Sequence, residues 1–258
     1  MLVSRTLRLS RLKMLGLLNE IEEAGEEAVS LCLPPGLPRP QVEGMLEKAL
    51  VPQVVIRDMV EYIARSGTGA FLFWGSSRKF LVLPPFPVTA RYIAPGYNIE
   101  PLRSQLEENF SIALVLVRLG AYAIGVCQGE KLIASKTGTG LIHARHKKGG
   151  SSQRRFERRR ENQIDFFLKR VCSHIREHLE PHAQSLDYLV YGGARTTLHS
   201  LREQCPFLQK FENRSLPPLL NIPQPRKSVL ERAIGTIWSS SVTEWYDSDT
   251  PGIDSQTA

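Results

Sequence analysis

The stretch HKKGGSSQRRFERRREN, residues 146–162, places residues that could do chemistry at one point of the chain. Two glycines and two serines precede an amide side chain, Gln153, inside a run of Lys and Arg. Glycine has no Cβ, so backbone at such a loop can approach a ligand closely. A glutamine amide donates and accepts hydrogen bonds without charge, so it could orient a water and stabilise a developing oxyanion. By themselves these residues would also suit a strand-to-helix loop in which a serine N-caps the helix.

The positive charge of the chain is concentrated around this loop. The 258-residue sequence has a formal net charge of +7, and residues 143–160 alone contain eight Lys or Arg and one Glu. The remainder is close to neutral, so an anionic partner is expected to dock on this segment. The cations expected to hold phosphates, without reading base sequence, are Arg145, Lys147, Lys148, Arg154, Arg155, Arg158 and Arg159.

Two further patterns have the residue types of a binding site. His174 and His178 fit the H-x-x-E-H spacing of some zinc hydrolases. Pro181 ends that helix at once and no second helix with an obvious Glu ligand follows, so we expect no metal. Gly192 and Gly193 lie between a strand and a helix, where a helix N-terminus could bind phosphate. The Lys-Ser/Thr of a P-loop and the third glycine of a dinucleotide fingerprint are missing, so a tight turn is favoured and no cofactor is expected.

The elements around the loop follow an α/β pattern. A β-meander is predicted from residue 111 to the loop, with turns at Gly120 and Gly129. A long basic helix follows from Gln153 and ends before Pro181. The strand SLDYLVYGG and two more helices come next, which indicates a central sheet. The apolar stripe of the long helix is predicted to contain Phe156, Ile164, Phe167, Leu168, Val171, Cys172, Ile175 and Leu179.

A smaller α/β domain is predicted over residues 1–100, before a second domain over 106–245 and a disordered polar tail over 246–258. The first 27 residues have the pattern of an amphipathic helix, with too many charges for a signal peptide. AVSLCLPPG predicts a strand, and GAFLFWGSSRKFLVLPPFP predicts a hairpin that turns at Gly75-Ser76-Ser77. The three tryptophans lie in apolar context and are expected in the core.

The cysteines and the hydropathy pattern indicate in which cellular compartment the protein is expected. The four cysteines form no C-x-x-C pair, and Cys127 and Cys172 lie in apolar runs that are typical of buried free thiols. A reducing, cytoplasmic location is therefore expected. No apolar stretch approaches 18 residues, so we expect no membrane association.

The loop and its surroundings resemble a known family. A glycine pair and a glutamine, then a long basic helix and a strand–Gly-Gly–helix, resemble the middle domain of eukaryotic and archaeal peptide-release factors. VRLGAYAIGVCQGEKLIASKTGTGLIHARHKKGGSSQRRFERRRENQ is more similar still to the VLRF family, the release-factor-like peptidyl-tRNA hydrolases of ribosome quality control. The resemblance covers residues 109–245. Those release factors carry Gly-Gly-Gln without insertion, whereas Ser151 and Ser152 intervene here, as in the VLRF branch, and would place Gln153 at the helix start.

This resemblance implies hydrolysis of the ester that joins a nascent peptide to the tRNA 3′ end. Glutamine would orient the attacking water, in a site built mainly of RNA. The implied partners are the ribosome, through the rRNA of its large subunit, and peptidyl-tRNA, with the protein acting as a monomer. Two alternatives stay open: a tRNA 3′-end endonuclease that uses the same loop, and a non-catalytic ribosome-binding factor. The catalytic residues carried over are Gln153, Gly149 and Gly150, with Ser151 and Ser152 as loop residues of the branch.

Overall fold

The computed structural model describes residues 2–143, 153–219 and 221–247. The chain divides into two compact units, one made of Met1–Glu108 with Gly235–Ala258 and the other of Asn109–Ile234. The sequence predicted two domains, over residues 1–100 and over residues 106–245. The second unit ends earlier than expected because the last strand of the chain returns to the first unit, which is therefore not the smaller of the two.

An antiparallel sheet of six strands, in the order β1-β10-β4-β3-β2-β5, forms the centre of the first unit. Its strands are β1 (Leu2–Leu9), β2 (Ala28–Leu33), β3 (Ala70–Gly75), β4 (Lys79–Leu83), β5 (Tyr92–Pro95) and β10 (Ser240–Asp247). The helices are α1 (Arg11–Glu23), α2 (Arg39–Lys48), α3 (Gln53–Arg65) and α4 (Glu100–Glu107). Residues of α2 and α3 join the core on one face, and residues of α1 and α4 join the core on the other. Every residue of β3 is buried as a result, which explains its continuous apolar run.

The N-terminal residues correct the sequence prediction, because Leu2–Leu9 form a strand and only Arg11–Glu23 form a helix. β1 pairs with β10 along its whole length, from Leu2 opposite Asp247 to Leu9 opposite Ser240. This pairing joins the two ends of the chain, so a local periodicity could not indicate it. Residues 246 and 247, predicted in the tail, are the end of β10. The rest of the predicted tail lies outside the described residues.

A mixed sheet of four strands, in the order β8-β7-β6-β9, forms the second unit. β6 and β9 are parallel and the other pairs are antiparallel, so the predicted meander is confirmed. The strands are β6 (Ser111–Arg118), β7 (Ala121–Gln128), β8 (Lys131–Thr139) and β9 (Tyr188–Gly192). The helices are α5 (Gln153–Leu179), α6 (Arg195–Gln204) and α7 (Lys227–Ile237), of which the last three residues count with the first unit. The predicted α/β class, with a long basic helix beside the sheet, is confirmed.

Only part of the predicted apolar stripe of α5 is buried. Phe167 to Leu179 supply its fully buried positions, whereas Ile164 is half-buried and Phe156 is 50% exposed. The reason is length. At 1.5 Å per residue α5 is about 40 Å long, and the nine-residue β8 spans only about 30 Å. Because Leu179 is buried, the excess length lies at the N-terminal end, where the sheet no longer covers the helix.

Cysteine pairing differs from the expectation at one position. Cys127 is a buried free thiol, as predicted, and burial raises its pKa to about 12. Cys172 is not free, because it forms a disulfide with Cys205 at a Cα–Cα distance of 5.4 Å. Packing of α5 against α6 brings the two residues together across 33 positions of sequence, which spacing alone did not reveal.

Two other expectations concern apolar residues. Trp74, Trp238 and Trp245 are all buried, as predicted. Among the described helices, none combines the length and the hydropathy that crossing a membrane requires.

Candidate nucleic-acid interface

The described residues include five of the twelve predicted site residues. Gln153 is the first residue of α5, where the inserted serines were expected to place it. Arg154, Arg155, Arg158 and Arg159 follow in the first two turns of the helix. The remaining predicted site residues lie outside the described residues: Arg145, Lys147, Lys148, Gly149, Gly150, Ser151 and Ser152.

The first two turns of α5 form a basic surface, which we call the arginine face, made of Arg154, Arg155, Arg158 and Arg159. All four side chains are exposed, and none of them pairs with a carboxylate among the residues that the structure describes. The first turn contains no acidic residue. A helix N-terminus carries about half a positive charge, so cations here are repelled by the helix dipole as well as by one another. A bound anion would relieve this repulsion.

Aromatic and apolar side chains lie beside the arginine face. Phe166 is 70% exposed, and Leu141, after β8, is 78% exposed. Phe166 follows Arg159 by seven residues, so the two side chains project from the same side of α5. They line a cleft of about 390 Å³ together with Arg170. Exposed aromatics beside cations are typical of surfaces that bind single-stranded nucleic acid. Phe166 was not among the predicted site residues, although an aromatic outside the apolar stripe was a usable signal.

Polar side chains of α5 hold the chain that leaves β8. Arg160 Nε donates to the carbonyl oxygen of His143 at 3.1 Å, and the N–H of His143 donates to Gln163 Oε1 at 3.2 Å. Arg170 donates to the carbonyl oxygen of Thr139. These three side chains, which we call the stem clamp, attach α5 to the strand side of the loop. His143, the last described residue before Gln153, is therefore held against α5.

The stem clamp was missed as a group by the sequence analysis. Arg160, Gln163 and Arg170 continue the line of the buried Phe167 at helical spacing, so they lie at the border between the core and the exposed face. Gly140 packs against the same line, since a Cβ there would come within 2.6 Å of the Phe167 ring. Polar residues that extend an apolar stripe were the available signal.

His174, the first histidine of the pair, forms ordinary helix-surface contacts. His174 Nδ1 lies 3.2 Å from Glu177 Oε2, and this hydrogen bond lowers the pKa of Glu177. The His174 ring also stacks on Tyr122, at 5.6 Å between centroids. Across residues 2–143, 153–219 and 221–247, no three His, Cys, Asp or Glu side chains come together in a way that could hold a metal ion.

The glycine pair after β9 makes the tight turn that the sequence favoured. Gly193 has a φ of 140°, a region that side-chain-bearing residues rarely adopt. A Cβ on Gly193 would lie 2.1 Å from the carbonyl oxygen of Val117 on β6. Close packing of the turn on the neighbouring strand therefore accounts for this glycine.

Comparison with known proteins gives a family match. Residues 111–243, just over half of the chain, match the family model acVLRF1, described as "Actinobacteria/chloroflexi VLRF1 release factor". The "Peptide chain release factor subunit 1" of Aeropyrum pernix is 26% identical over 206 residues, which cover 69% of this chain and 55% of that protein. The protein of the same name from Methanopyrus kandleri is 32% identical over 120 residues, which cover 45% and 29%. The chain thus spans about half or less of the length of these curated relatives.

Solved structures show weaker overlap. The "Crystal structure of archaeal translation termination factor, aRF1" overlaps with a TM-score of 0.39 and 19% identity, over 89% of this chain and 73% of that one. An overlap of this size adds nothing to the assignment, which rests on the family model.

Proposed function

The chain belongs to the Actinobacteria/chloroflexi VLRF1 release factor family, and from that premise we propose that it is a ribosome-associated peptidyl-tRNA hydrolase. It releases a nascent peptide by cleaving the ester that joins the peptide to the tRNA 3′ end. The observation that carries the proposal is the arginine face, whose unpaired cations begin one residue after Gln153. A strongly anionic partner is therefore bound where the glycine loop meets the helix.

The proposed reaction is the attack of water on the ester carbonyl carbon. The bond from that carbon to the ribose oxygen breaks, and the ribose oxygen takes one proton of the water to become a hydroxyl. The peptide leaves as a carboxylate, and the second proton of the water passes to solvent. The Gln153 amide orients the water and stabilises the negative charge that develops on the carbonyl oxygen. Gly149 and Gly150 let the loop reach the ester, with Ser151 and Ser152 as the spacer. A neutral amide suits this task, because it needs no shifted pKa.

The proposed chemistry explains why the loop is neutral whereas the residues on either side of it are positively charged. Cations at the reacting ester would bind phosphates and hold the loop away from the carbonyl group, so the loop itself is neutral. The arginine face binds phosphates of the large-subunit rRNA or the tRNA. Arg145, Lys147 and Lys148, which precede the loop, bind them as well. Phosphate contacts release counterions, so binding weakens steeply as salt is added. A cytoplasmic monomer is part of the same proposal.

The experiment uses large ribosomal subunits that carry a labelled peptidyl-tRNA. The purified protein is compared with Gln153→Ala and with Gln209→Ala. This control is at an exposed glutamine of the second unit whose side chain makes no hydrogen bond within the described chain. Both the peptide and the tRNA 3′ end are followed. We expect free peptide and intact tRNA, with release by Gln153→Ala slower by about a hundredfold or more and release by Gln209→Ala unchanged.

Two results would overturn the hydrolase proposal. Peptide that stays attached to a short tRNA fragment would identify an endonuclease. Salt-sensitive binding to the subunits without any cleavage would identify a non-catalytic ribosome-binding factor.

A further inference from the structure

A second cleft, of about 720 Å³, opens at the carboxyl end of the parallel strands β6 and β9. It lies between the end of β6, the start of α6 and the segment after residue 220. Crevices outside the carboxyl ends of parallel strands are where α/β sheets bind ligands. The lining residues used below are Arg118, Ala194, Arg195, Thr196 and Thr197.

Helix α6 begins at this cleft without a cap. Its N-cap residue is Ala194, which has no side-chain acceptor, and the first helical hydrogen bond runs from the N–H of Leu198 to the carbonyl oxygen of Ala194 at 3.0 Å. The three preceding N–H groups, of Arg195, Thr196 and Thr197, have no partner within the described chain. Unpaired N–H groups at a helix start are suited to an anion, which the helix dipole also favours.

Thr197 supplies an independent indication of a ligand. Its side chain is only 8% exposed, and its hydroxyl makes no hydrogen bond to any residue that the structure describes. The hydroxyl oxygen itself is not sealed within the protein, so a group bound in the cleft can reach it. Because Thr197 lines the cleft, an acceptor bound there would satisfy the hydroxyl together with the neighbouring N–H groups.

The charge of the cleft selects an anion. None of its described lining residues is acidic, and neither Arg118 nor Arg195 forms an ion pair in the described part of the chain. Arg118 Nη1 donates to the carbonyl oxygen of Ile222 at 3.2 Å, which fixes its guanidinium at the rim. Two guanidinium groups, a hydroxyl and three N–H groups match the several acceptor oxygens of one phosphate group.

The position of the cleft relative to the end of β8 indicates that the phosphate belongs to an RNA. β8 runs in the same direction as β6 and β9, so the chain enters the glycine loop from the end of the sheet at which the cleft opens. β8 and β9 are the two edge strands, three strand spacings or about 14 Å apart. One RNA could therefore contact both places.

We propose that this cleft is a phosphate-binding site that takes a backbone phosphate of RNA, separately from the arginine face. The choice of RNA as the source rests on the proposed function, whereas the phosphate chemistry rests on the cleft alone. The cleft lacks the lysine with which a P-loop contacts the β- and γ-phosphates. We therefore assign it one phosphate group and not a nucleoside triphosphate.

The test follows the backbone amides of the full chain by NMR. Inorganic phosphate is titrated first, and a short single-stranded RNA second, at several salt concentrations. We expect saturable shifts at Arg195, Thr196 and Thr197. The variants are Thr197→Val, which removes the hydroxyl at nearly constant volume, and Arg195→Gln. The matched control is Lys131→Gln, which removes an exposed charge at the opposite end of the same sheet.

We expect the double variant Thr197→Val/Arg195→Gln to bind phosphate at least tenfold more weakly, and Lys131→Gln to bind it as the unaltered protein does. The slope of the logarithm of RNA affinity against the logarithm of salt should become shallower by about 0.7 when the protein holds one phosphate fewer. Unchanged core amide shifts in the variants show that the fold is kept.

Three outcomes overturn the proposal in different ways. The absence of saturable shifts at these amides with either probe would overturn the site, and so would shifts that the variants leave unchanged. Shifts with inorganic phosphate but an unaltered RNA salt slope would overturn RNA as the source and identify a site for free phosphate. None of these measurements uses ribosomes, so failure of the hydrolase proposal would leave the phosphate shifts in place.

Discussion

Arg160 Nε donates a hydrogen bond of 3.1 Å to the backbone carbonyl oxygen of His143, and so joins α5 to the last described residue before the glycine loop. The N–H of the same His143 donates to Gln163, which lies three residues further along the helix. Gln153 is the first residue of α5, so the described residues on either side of residues 144–152, His143 and Gln153, are bonded to or belong to the same helix. The stem clamp thus fixes His143 relative to the start of α5.

The substitution Arg160→Lys tests this relationship, because it keeps the charge and removes the Nε donor. We expect peptide release to slow by about 10- to 100-fold while RNA affinity and its salt dependence stay the same, since a displacement of about 1 Å at a reacting group can cost two orders of magnitude. The measurement separates kcat from KM on loaded large subunits. The control is Arg176→Lys, an exposed arginine near the other end of α5. An equal weakening of RNA binding in Arg160→Lys would instead identify Arg160 as a residue that binds phosphate.

The arginine face opposes the stability of its own helix. Replacing Arg154 and Arg155 by Gln should raise the free energy of unfolding at low salt by about 0.3–1 kcal/mol for each cation, because the repulsion from the helix N-terminus is removed. The same change should weaken RNA binding and lower its salt slope by about 0.7 for each phosphate that is no longer bound. Chemical denaturation and binding titrations measure the two effects on the same protein samples.

The matched control for this pair is Arg176→Gln, in the last turn of α5, where a cation favours the helix dipole. It should lower the free energy of unfolding and leave RNA binding unchanged. If Arg154 and Arg155 proved to stabilise the free protein, the argument that they are held for an anionic partner would fail.

A carboxylate in the first unit predicts a pH dependence of stability. Glu26 accepts hydrogen bonds from the N–H of Ser77 at 2.9 Å and of Arg78 at 3.0 Å, and further ones from the hydroxyls of Ser76, Ser77 and Tyr97. Burial raises the pKa of Glu26, but these bonds together outweigh burial and hold the pKa well below its usual range. The unfolded chain therefore binds a proton more readily, so the stabilisation is complete at neutral pH and is lost as the pH falls below about 4.5.

Glu26→Gln should lower the free energy of unfolding by about 1–2 kcal/mol at pH 7, because the ionised acceptor is lost. The difference from the unaltered protein should shrink between pH 4.5 and pH 2, measured by urea denaturation across that range. Glu23→Gln, at an exposed glutamate whose side chain makes no hydrogen bond in the described chain, should show no such convergence. A difference that stays constant with pH would show that packing, and not ionisation, is the cause.

Elements with local signals could be predicted from the sequence. The Gly75-Ser76-Ser77 turn indicated the β3–β4 hairpin, and the glycines at 120 and 129 indicated the meander. The β1–β10 pair could not be predicted, because it joins Leu2 to Asp247 and neither segment carries a strong strand pattern. A single sequence carries little information about which distant segments pair with each other.

The candidate interface also has a part that could be predicted from the sequence and parts that could not. Charge density alone located the arginine face, since four exposed arginines in two turns leave a compositional signal. The stem clamp needed knowledge of which side chains border the core, because Arg160 looks like its neighbours in the sequence although it is half-buried and bonded to His143. The cleft at α6 needed three-dimensional placement, since Arg118 lies at the end of a strand and Thr197 lies in a helix far along the chain.

The pairing of Cys172 with Cys205 makes the last prediction. This disulfide closes a loop of 33 positions, and removal of that constraint on the unfolded chain corresponds to about 3–4 kcal/mol in the chain-entropy model. A reductant should therefore lower the thermal midpoint of the protein, and should have no effect on the double variant Cys172→Ala/Cys205→Ala. Counting thiols checks the pairing directly. Under denaturing conditions without reductant, only Cys32 and Cys127 should react, whereas four reactive thiols would show that the disulfide does not form in the isolated protein.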